Sequence, residues 1–153
     1  MTEGLICRAP RPEDRERWDA LFTGYLDFYR VPQEDRDLDV VWDWLLDPQH
    51  LVRGLLAVLP NGEIVGLAHF HEMPYTLRAS RICYLSDLFV DPTVRGKRIG
   101  QTLIDAVLAV CREEGWTSCR WLTADDNYSG RSLYDRFSPK SPFIAYMVSP
   151  TTT

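Results

Sequence analysis

The chain has little with which to hold a metal or bridge itself covalently. Only 3 histidines and 4 cysteines occur in 153 residues. The cysteines, Cys7, Cys83, Cys111 and Cys119, show no Cys-x-x-Cys spacing and sit in apolar strand or helix contexts. That pattern predicts reduced core thiols in a cytoplasmic protein. No apolar run reaches the length a membrane span needs. The opening Met-Thr-Glu-Gly carries no apolar core of a secretory signal. Positive charge is also in short supply: 17 Lys and Arg stand against 22 Asp and Glu, for a net charge of −5 and a pI of about 5.1. An acidic balance of this kind excludes non-specific nucleic-acid binding and favours a cationic partner. There is no internal repeat, and no low-complexity segment beyond a short Pro-Thr-Thr-Thr tail.

What is present is an ordinary globular composition, 45% hydrophobic and 25% charged. The length predicts one domain over residues 1–153 with a sizeable core. Residues 5–9 read as a first strand. Pro12 opens a helix whose apolar stripe is Trp18, Leu21, Phe22, Tyr25, Leu26 and Tyr29, and Pro32 ends it. Such a stripe reads as core, or as the wall of a pocket. Asp37 caps a second helix with Leu38, Val41, Trp42 and Leu45 on one face, closed by Pro48. Trp42 and Trp44 fall on different faces, so at most one is core. Glu34, Asp35 and Asp37 form an acidic loop, solvated or attractive to an amine. Residues 55–59 and 64–73 flank Pro60-Asn61-Gly62, a hairpin signal. A fourth strand covers residues 81–90, a long helix ends at Gly115, and a fifth strand covers 118–122. A short helix at 129–137 and a last strand at 143–148 complete the order β-α-α-β-β-β-α-β-α-β. Three strands meet before the crossover helix, which predicts a mixed α/β sheet rather than a doubly wound one.

The most informative stretch is YLSDLFVDPTVRGKRIGQTLIDAVLAV, residues 84–110. An apolar strand ends in Val90, Asp91 and Pro92. The basic, glycine-bearing loop Arg95-Gly96-Lys97-Arg98-Ile99-Gly100 follows, and a helix begins at once with Leu103, Val107, Val110 and Cys111 at helical spacing. Free amide groups and the positive end of the helix dipole make such a junction an anion site, here suited to a diphosphate.

This loop resembles the signature of the GNAT superfamily, the acetyl-CoA-dependent N-acetyltransferases, Arg/Gln-x-x-Gly-x-Gly/Ala after a strand ending near Val-x-Pro. The first and last positions match; the middle glycine is Arg98. If that position needs φ > 0, an arginine there costs energy; its guanidinium also offers a further phosphate contact. A second block, WLTADDNYSGRSLYDRF at residues 121–137, is similar to the family's Asn-x-x-Ala-x-x-Leu-Tyr, with Asn127, Leu133 and Tyr134 in place and Gly130 for Ala. The element order matches the family over nearly the whole chain, except that the family's usual seventh strand is absent or vestigial.

The resemblance implies an α+β fold: a mixed, mostly antiparallel central sheet with a splayed strand 4/strand 5 pair, flanked by about four helices. It implies acetyl-CoA as cosubstrate, with no metal. Cofactor contacts fall on Leu88, Phe89, Val90, Arg95, Gly96, Lys97, Arg98, Ile99, Gly100, Gln101, Asn127 and Tyr134. The fourth strand would bulge, offer the Leu88 amide to the acetyl carbonyl, and pair Val90 with pantetheine. Tyr134 would protonate the leaving thiolate. An alkyl ammonium of pKa near ~10.4 leaves roughly one molecule in 2,500 nucleophilic at pH 7, so a base is needed.

Polyamine-type members read Leu-Glu-Asp where this chain has Leu85-Ser86-Asp87. A serine is no simple base. Asp87 is the nearest carboxylate, and three roles stay open to it: taking the proton, binding the cation, or a buried structural partnership. His69 and His71 fall on one face of the third strand, where they could bind a metal or one could act as a base; two histidines are too few for a metal site, and His71 could line the substrate pocket beside the fourth strand. The expected acceptor is a primary amine, a small cationic amine or polyamine or an amino group of a peptide, with a family-like homodimer. The different-class alternative is a CoA- or acyl-CoA-binding module without catalysis. The absent glutamate and the loop arginine favour it, and Tyr134 speaks against it.

Overall fold

The computed structural model describes residues 4–94 and 98–151. They fall into two compact units, Met1–Leu122 and Thr123–Thr153. The first unit holds β1 (Ile6–Arg8), α1 (Arg15–Phe28), α2 (Leu38–Leu46), β2 (Arg53–Val58), β3 (Ile64–Tyr75), β4 (Ser80–Val90), α3 (Ile99–Glu114) and β5 (Cys119–Arg120). The second holds α4 (Tyr128–Tyr134).

The sheet runs β1-β2-β3-β4-β5, antiparallel except for the parallel β4–β5 pair. α1 and α2 cover one face, where Trp18, Leu21, Phe22 and Trp42 pack on Leu56, Val58, Ile64 and Leu67. α3 covers the other, and Gly66 of β3 allows the close approach. A methyl group there would meet Leu103 Cδ1 at 2.9 Å, Ile99 Cγ2 at 3.2 Å and the Phe89 carbonyl oxygen at 3.2 Å. A mixed sheet with helices on both faces and four α-helices among the described residues is the architecture the sequence pattern implied.

Local signals act where they were read. Asp37 accepts the Val40 amide at 3.1 Å and starts α2. The Asn61-Gly62 turn closes the β2–β3 hairpin, with Gly62 at φ 89° and the Asn61 carboxamide accepting the Glu63 amide at 2.9 Å. Gly115 takes φ 74°, and the Trp116 amide reaches back to the Cys111 carbonyl at 2.9 Å, closing α3. The α1 stripe is core: Trp18 is fully buried. Trp42 is buried, while Trp44 is 40% exposed and stacks on His50, so the two faces separate as expected. Glu34 and Asp35 are solvated.

The largest departures from the expected elements are three. The fifth strand is two residues, not the five expected over 118–122, because only Cys119 and Arg120 find partners on β4. The short helix begins at Tyr128 and ends at Tyr134, ahead of the expected 137. No strand forms at 143–148 among the described residues. Phe143, Ile144, Tyr146, Met147 and Val148 form an apolar run suited to a strand but lie 74–98% exposed. A strand exists only when a neighbour accepts its amides, and none pairs with this segment.

Candidate active site

β4 carries a bulge that decides what the site presents. Its register with β3 pairs Phe70 with Leu85 and His69 with Asp87, leaving Ser86 as the extra residue. The family resemblance implied a bulged fourth strand, and the register puts the bulge at Ser86. The Ser86 hydroxyl donates to the His69 carbonyl at 3.1 Å, and the Tyr25 hydroxyl to the Ser86 carbonyl at 3.3 Å, so the extra residue is held from both sides.

Before the bulge, Cys83 lies on the α3 face beside Cys111, and its amide donates to Ser118 at 2.9 Å on the β5 side. After it, the parity reverses. Asp87 meets His69 on the α1 face, and Phe89 packs on Tyr25 and Gly24 of α1. The Asp91 amide donates to Val65 at 2.8 Å on β3. Strand amides alternate, so Phe89 also faces β3, while Leu88 and Val90 turn their N–H groups to the opposite edge. β5 pairs with β4 at Cys83 and Tyr84 only. Beyond Tyr84 that edge has no strand partner within the first unit, among the described residues. The two amides named from the resemblance therefore point into the gap of the splayed pair.

The Asp87 carboxylate is 24% exposed, and Oδ2 lies 2.9 Å from His69 Nδ1. His69, 3% exposed, has its other nitrogen against the Trp18 indole N–H, 3.1 Å from Nε2. His71, on the same face of β3, lies against the Tyr84 ring, and burial pushes its pKa below the usual 6.5. The two histidines are thus not a ligand pair: one is locked in the core and the other packs on a tyrosine. Sequence reasoning left His69 open; its signal was one polar residue in the buried run Ile64–Phe70.

Gly66 joins the strand end to the helix start, since it touches Phe89 and also Ile99 and Leu103. Arg98 precedes α3 at φ 51°, ψ 39°, in the left-handed region. In this chain the position of the motif's middle glycine does take φ > 0, and an arginine occupies it. The Thr102 amide and hydroxyl both donate to the Arg98 carbonyl, at 3.0 and 2.9 Å. Ile99 is buried, so only its backbone is available to a ligand; Gly100 and Gln101 are half-buried in the first turn. Arg95, Gly96 and Lys97, named for cofactor binding, lie outside the described residues.

The approach to this loop is fixed by Asp91. Its Oδ1 accepts the Thr93 amide at 2.9 Å and the Thr93 hydroxyl at 2.7 Å, and its Oδ2 accepts Arg17 at 2.5 Å. These partners, the Thr93 amide first, hold the carboxyl below its ordinary 3.8. Sequence reasoning missed this turn, although Asp-Pro-Thr is a fair Asx-turn signal.

In the second unit, Asn127 caps α4: its carboxamide oxygen accepts the Gly130 amide at 3.2 Å and its nitrogen donates to Thr123 at 2.9 Å. A methyl group at position 130 would fall 2.5 Å from that nitrogen, so glycine makes room for the cap where the family pattern has alanine. Tyr134 is the last residue of α4.

The sulfurs of Cys83, Cys111 and Cys119 lie within 4.8 Å of one another. The neighbouring Cys119 thiol, then burial, pushes the Cys83 pKa upward; burial takes Cys111 up to about 12 and Cys7 up to about 11. The cysteines described are free thiols, as their spacing predicted.

Residues 18–138 match the model of the Acetyltransferase (GNAT) family. The chain is similar to a D-amino-acid N-acetyltransferase, HPA3, of Saccharomyces cerevisiae, 24% identical over 147 residues, 95% of this chain and 91% of that one. It is similar to an uncharacterized N-acetyltransferase, YhfO, of Bacillus subtilis, 26% identical over 95% of this chain and 97% of that protein. The crystal structure of a ribosomal-protein-alanine N-acetyltransferase from Brucella melitensis biovar Abortus 2308 superposes with a TM-score of 0.78 at 21% identity, over 95% of this chain and 98% of that one. At that identity the superposition establishes the fold.

Proposed function

The chain belongs to the GNAT family of acetyltransferases, and from that premise we propose that it transfers acetyl from acetyl-CoA to a primary amine by direct attack on the thioester. One observation carries the reading. The bulge at Ser86 turns the Leu88 and Val90 amides to an edge of β4 that has no strand partner among the described residues, next in sequence to the Asp87 carboxylate. A pantetheine arm fits such an edge as an added strand. The Leu88 N–H then donates to the thioester oxygen and stabilises the charge that develops there.

The start of α3, with Arg98, Ile99, Gly100 and Gln101, takes the diphosphate on its free amides, and Arg95, Gly96 and Lys97 belong to the same loop by sequence. Asp87 meets the acceptor. Its partly exposed carboxylate attracts an ammonium and accepts a proton from it, directly or through water. Asn127 and Tyr134 keep the roles the motif gives them, Tyr134 as acid to the leaving thiolate; a phenol of pKa near ~10 suits a thiol near ~8.5.

A cationic acceptor agrees with the net charge of −5 and with Asp87. The yeast relative's name adds D-amino acids to the acceptors worth testing. The experiment is thiol release from acetyl-CoA across a panel of polyamines, small monoamines, D-amino acids and lysine peptides. The proposal expects turnover with at least one cationic amine above the hydrolytic background. CoA binding without transfer to any member would favour a non-catalytic CoA-binding module.

A further inference from the structure

We propose that His69 is a positioning residue for Asp87, and that Trp18 sets the tautomer in which it works. The inference rests on the reading of Asp87 as the carboxylate that meets the acceptor amine.

A buried imidazole must satisfy both ring nitrogens. His69 does so with two partners of unlike kind. The Trp18 indole N–H can only donate, so His69 Nε2 must accept at 3.1 Å. The ring proton therefore sits on Nδ1, and Nδ1–H donates to Asp87 Oδ2 at 2.9 Å. The anchor of this chain is rigid. Trp18 is fully buried, stacked on Phe22 and tilted against Trp42, and Phe22 also meets the His69 ring edge-on at 5.0 Å.

The geometry suits a carboxylate that must stay charged and aimed. His69 and Asp87 are direct partners in the ladder, and the bulge beside them is what puts both side chains on one face. One carboxylate oxygen is tied into the core, while the side chain remains 24% exposed. Among the described residues Oδ1 accepts no side-chain hydrogen bond, which leaves its lone pairs to a ligand. An arginine or lysine in the place of His69 would neutralise the carboxylate and compete with an incoming ammonium. A neutral donor orients the group and leaves its charge available. Fixing the reacting group beforehand removes orientational freedom that would otherwise be lost at each turnover.

Two substitutions separate the halves of the chain of bonds. His69→Asn puts an amide donor near the place of Nδ1 and gives up the acceptor for Trp18. His69→Gln puts an acceptor near the place of Nε2 and gives up the donor to Asp87. With the best amine from the panel, His69→Gln should lower kcat/KM by roughly ten-fold or more, and His69→Asn by only about three-fold, whatever their order of thermal stability. In an Asp87→Asn background, His69→Gln should cost less than about two-fold, because its effect runs through Asp87. Proton–nitrogen NMR of the free protein should show the His69 ring proton on Nδ1, with its resonance displaced in Asp87→Asn. A proton on Nε2 would overturn the proposal, as would an equal loss from His69→Gln in both backgrounds or wild-type kinetics in that variant. If Asp87→Asn itself keeps wild-type kinetics, the reading of Asp87 fails and takes this one with it. If Asp87→Asn impairs transfer and His69→Gln does not, only the present inference falls.

Discussion

Gly66 stands against Leu103 with no space for a side chain: a methyl group there would lie 2.9 Å from Leu103 Cδ1 and 3.2 Å from the Phe89 carbonyl oxygen. The start of α3 and the end of β4 are thereby held to one point of β3. Gly66→Val should push α3 outward, costing about 1–3 kcal/mol of stability as overpacking does. It should also weaken CoA binding, since the helix start shifts relative to the strand edge. Denaturant unfolding and calorimetric CoA titration of the variant check both effects; native affinity together with native stability would mean the contact yields freely.

Arg98 holds φ 51° without being glycine. A side chain in that region costs roughly 1–2 kcal/mol, offset in part by the greater freedom glycine gives the unfolded chain. Arg98→Gly should therefore stabilise the protein by about 0.5–1 kcal/mol in urea unfolding. CoA affinity of the same variant decides what the arginine is for. A fall of roughly ten-fold assigns its guanidinium to a phosphate, worth about 1.4 kcal/mol.

Gly100 lies in the first turn of α3. Gly100→Glu puts bulk and negative charge where the diphosphate is proposed to sit. Calorimetric CoA affinity should fall by at least about an order of magnitude in a folded protein. Unchanged affinity would move the cofactor elsewhere.

Tyr134→Phe keeps the ring and removes the hydroxyl. Turnover should fall by roughly 10²–10⁴ with CoA affinity nearly constant. Equal turnover at neutral pH would relegate Tyr134 to packing.

Asp91 and Asp14 make the fold sensitive to acid. The Thr93 amide and hydroxyl, with Arg17, lower the pKa of Asp91; the Arg8 guanidinium, then the Arg11 amide, lowers that of Asp14. A carboxyl depressed in the folded state from 3.8 adds stability that is complete above that value and is lost as pH falls through the folded one. Stability should thus be flat in pH near neutrality and decline below about pH 4. Asp91→Asn should lower neutral-pH stability by roughly 1–3 kcal/mol and flatten the acid limb. Urea unfolding at pH 7, 4 and 3 separates the two effects.

Much of this molecule follows from interactions between near neighbours in the chain. Asp37, Asn61, Gly62 and Gly115 act through hydrogen bonds and dihedral preferences spanning a few residues, so their turns and caps are present in the local pattern. The 3.6-residue spacing of Leu103, Val107 and Cys111 is likewise local, and those side chains are buried as the stripe requires. Asp87, Leu88 and Val90 stand in a strand motif that is legible in the sequence by itself.

Contacts between distant parts of the chain decided the remainder. The extra residue at Ser86 is visible only against β3, because a bulge is a mismatch between two strands and leaves no pattern in one. That mismatch reverses the facing of everything after it. Strict alternation from Cys83 would send Asp87 toward α3, away from His69 and Trp18. The partnership of Trp18, His69 and Asp87 spans 51 residues on one side and 18 on the other. Residues 143–148 show the converse: they form an apolar run suited to a strand, yet no strand forms there among the described residues, because strand hydrogen bonds need a second chain segment that a local pattern does not supply.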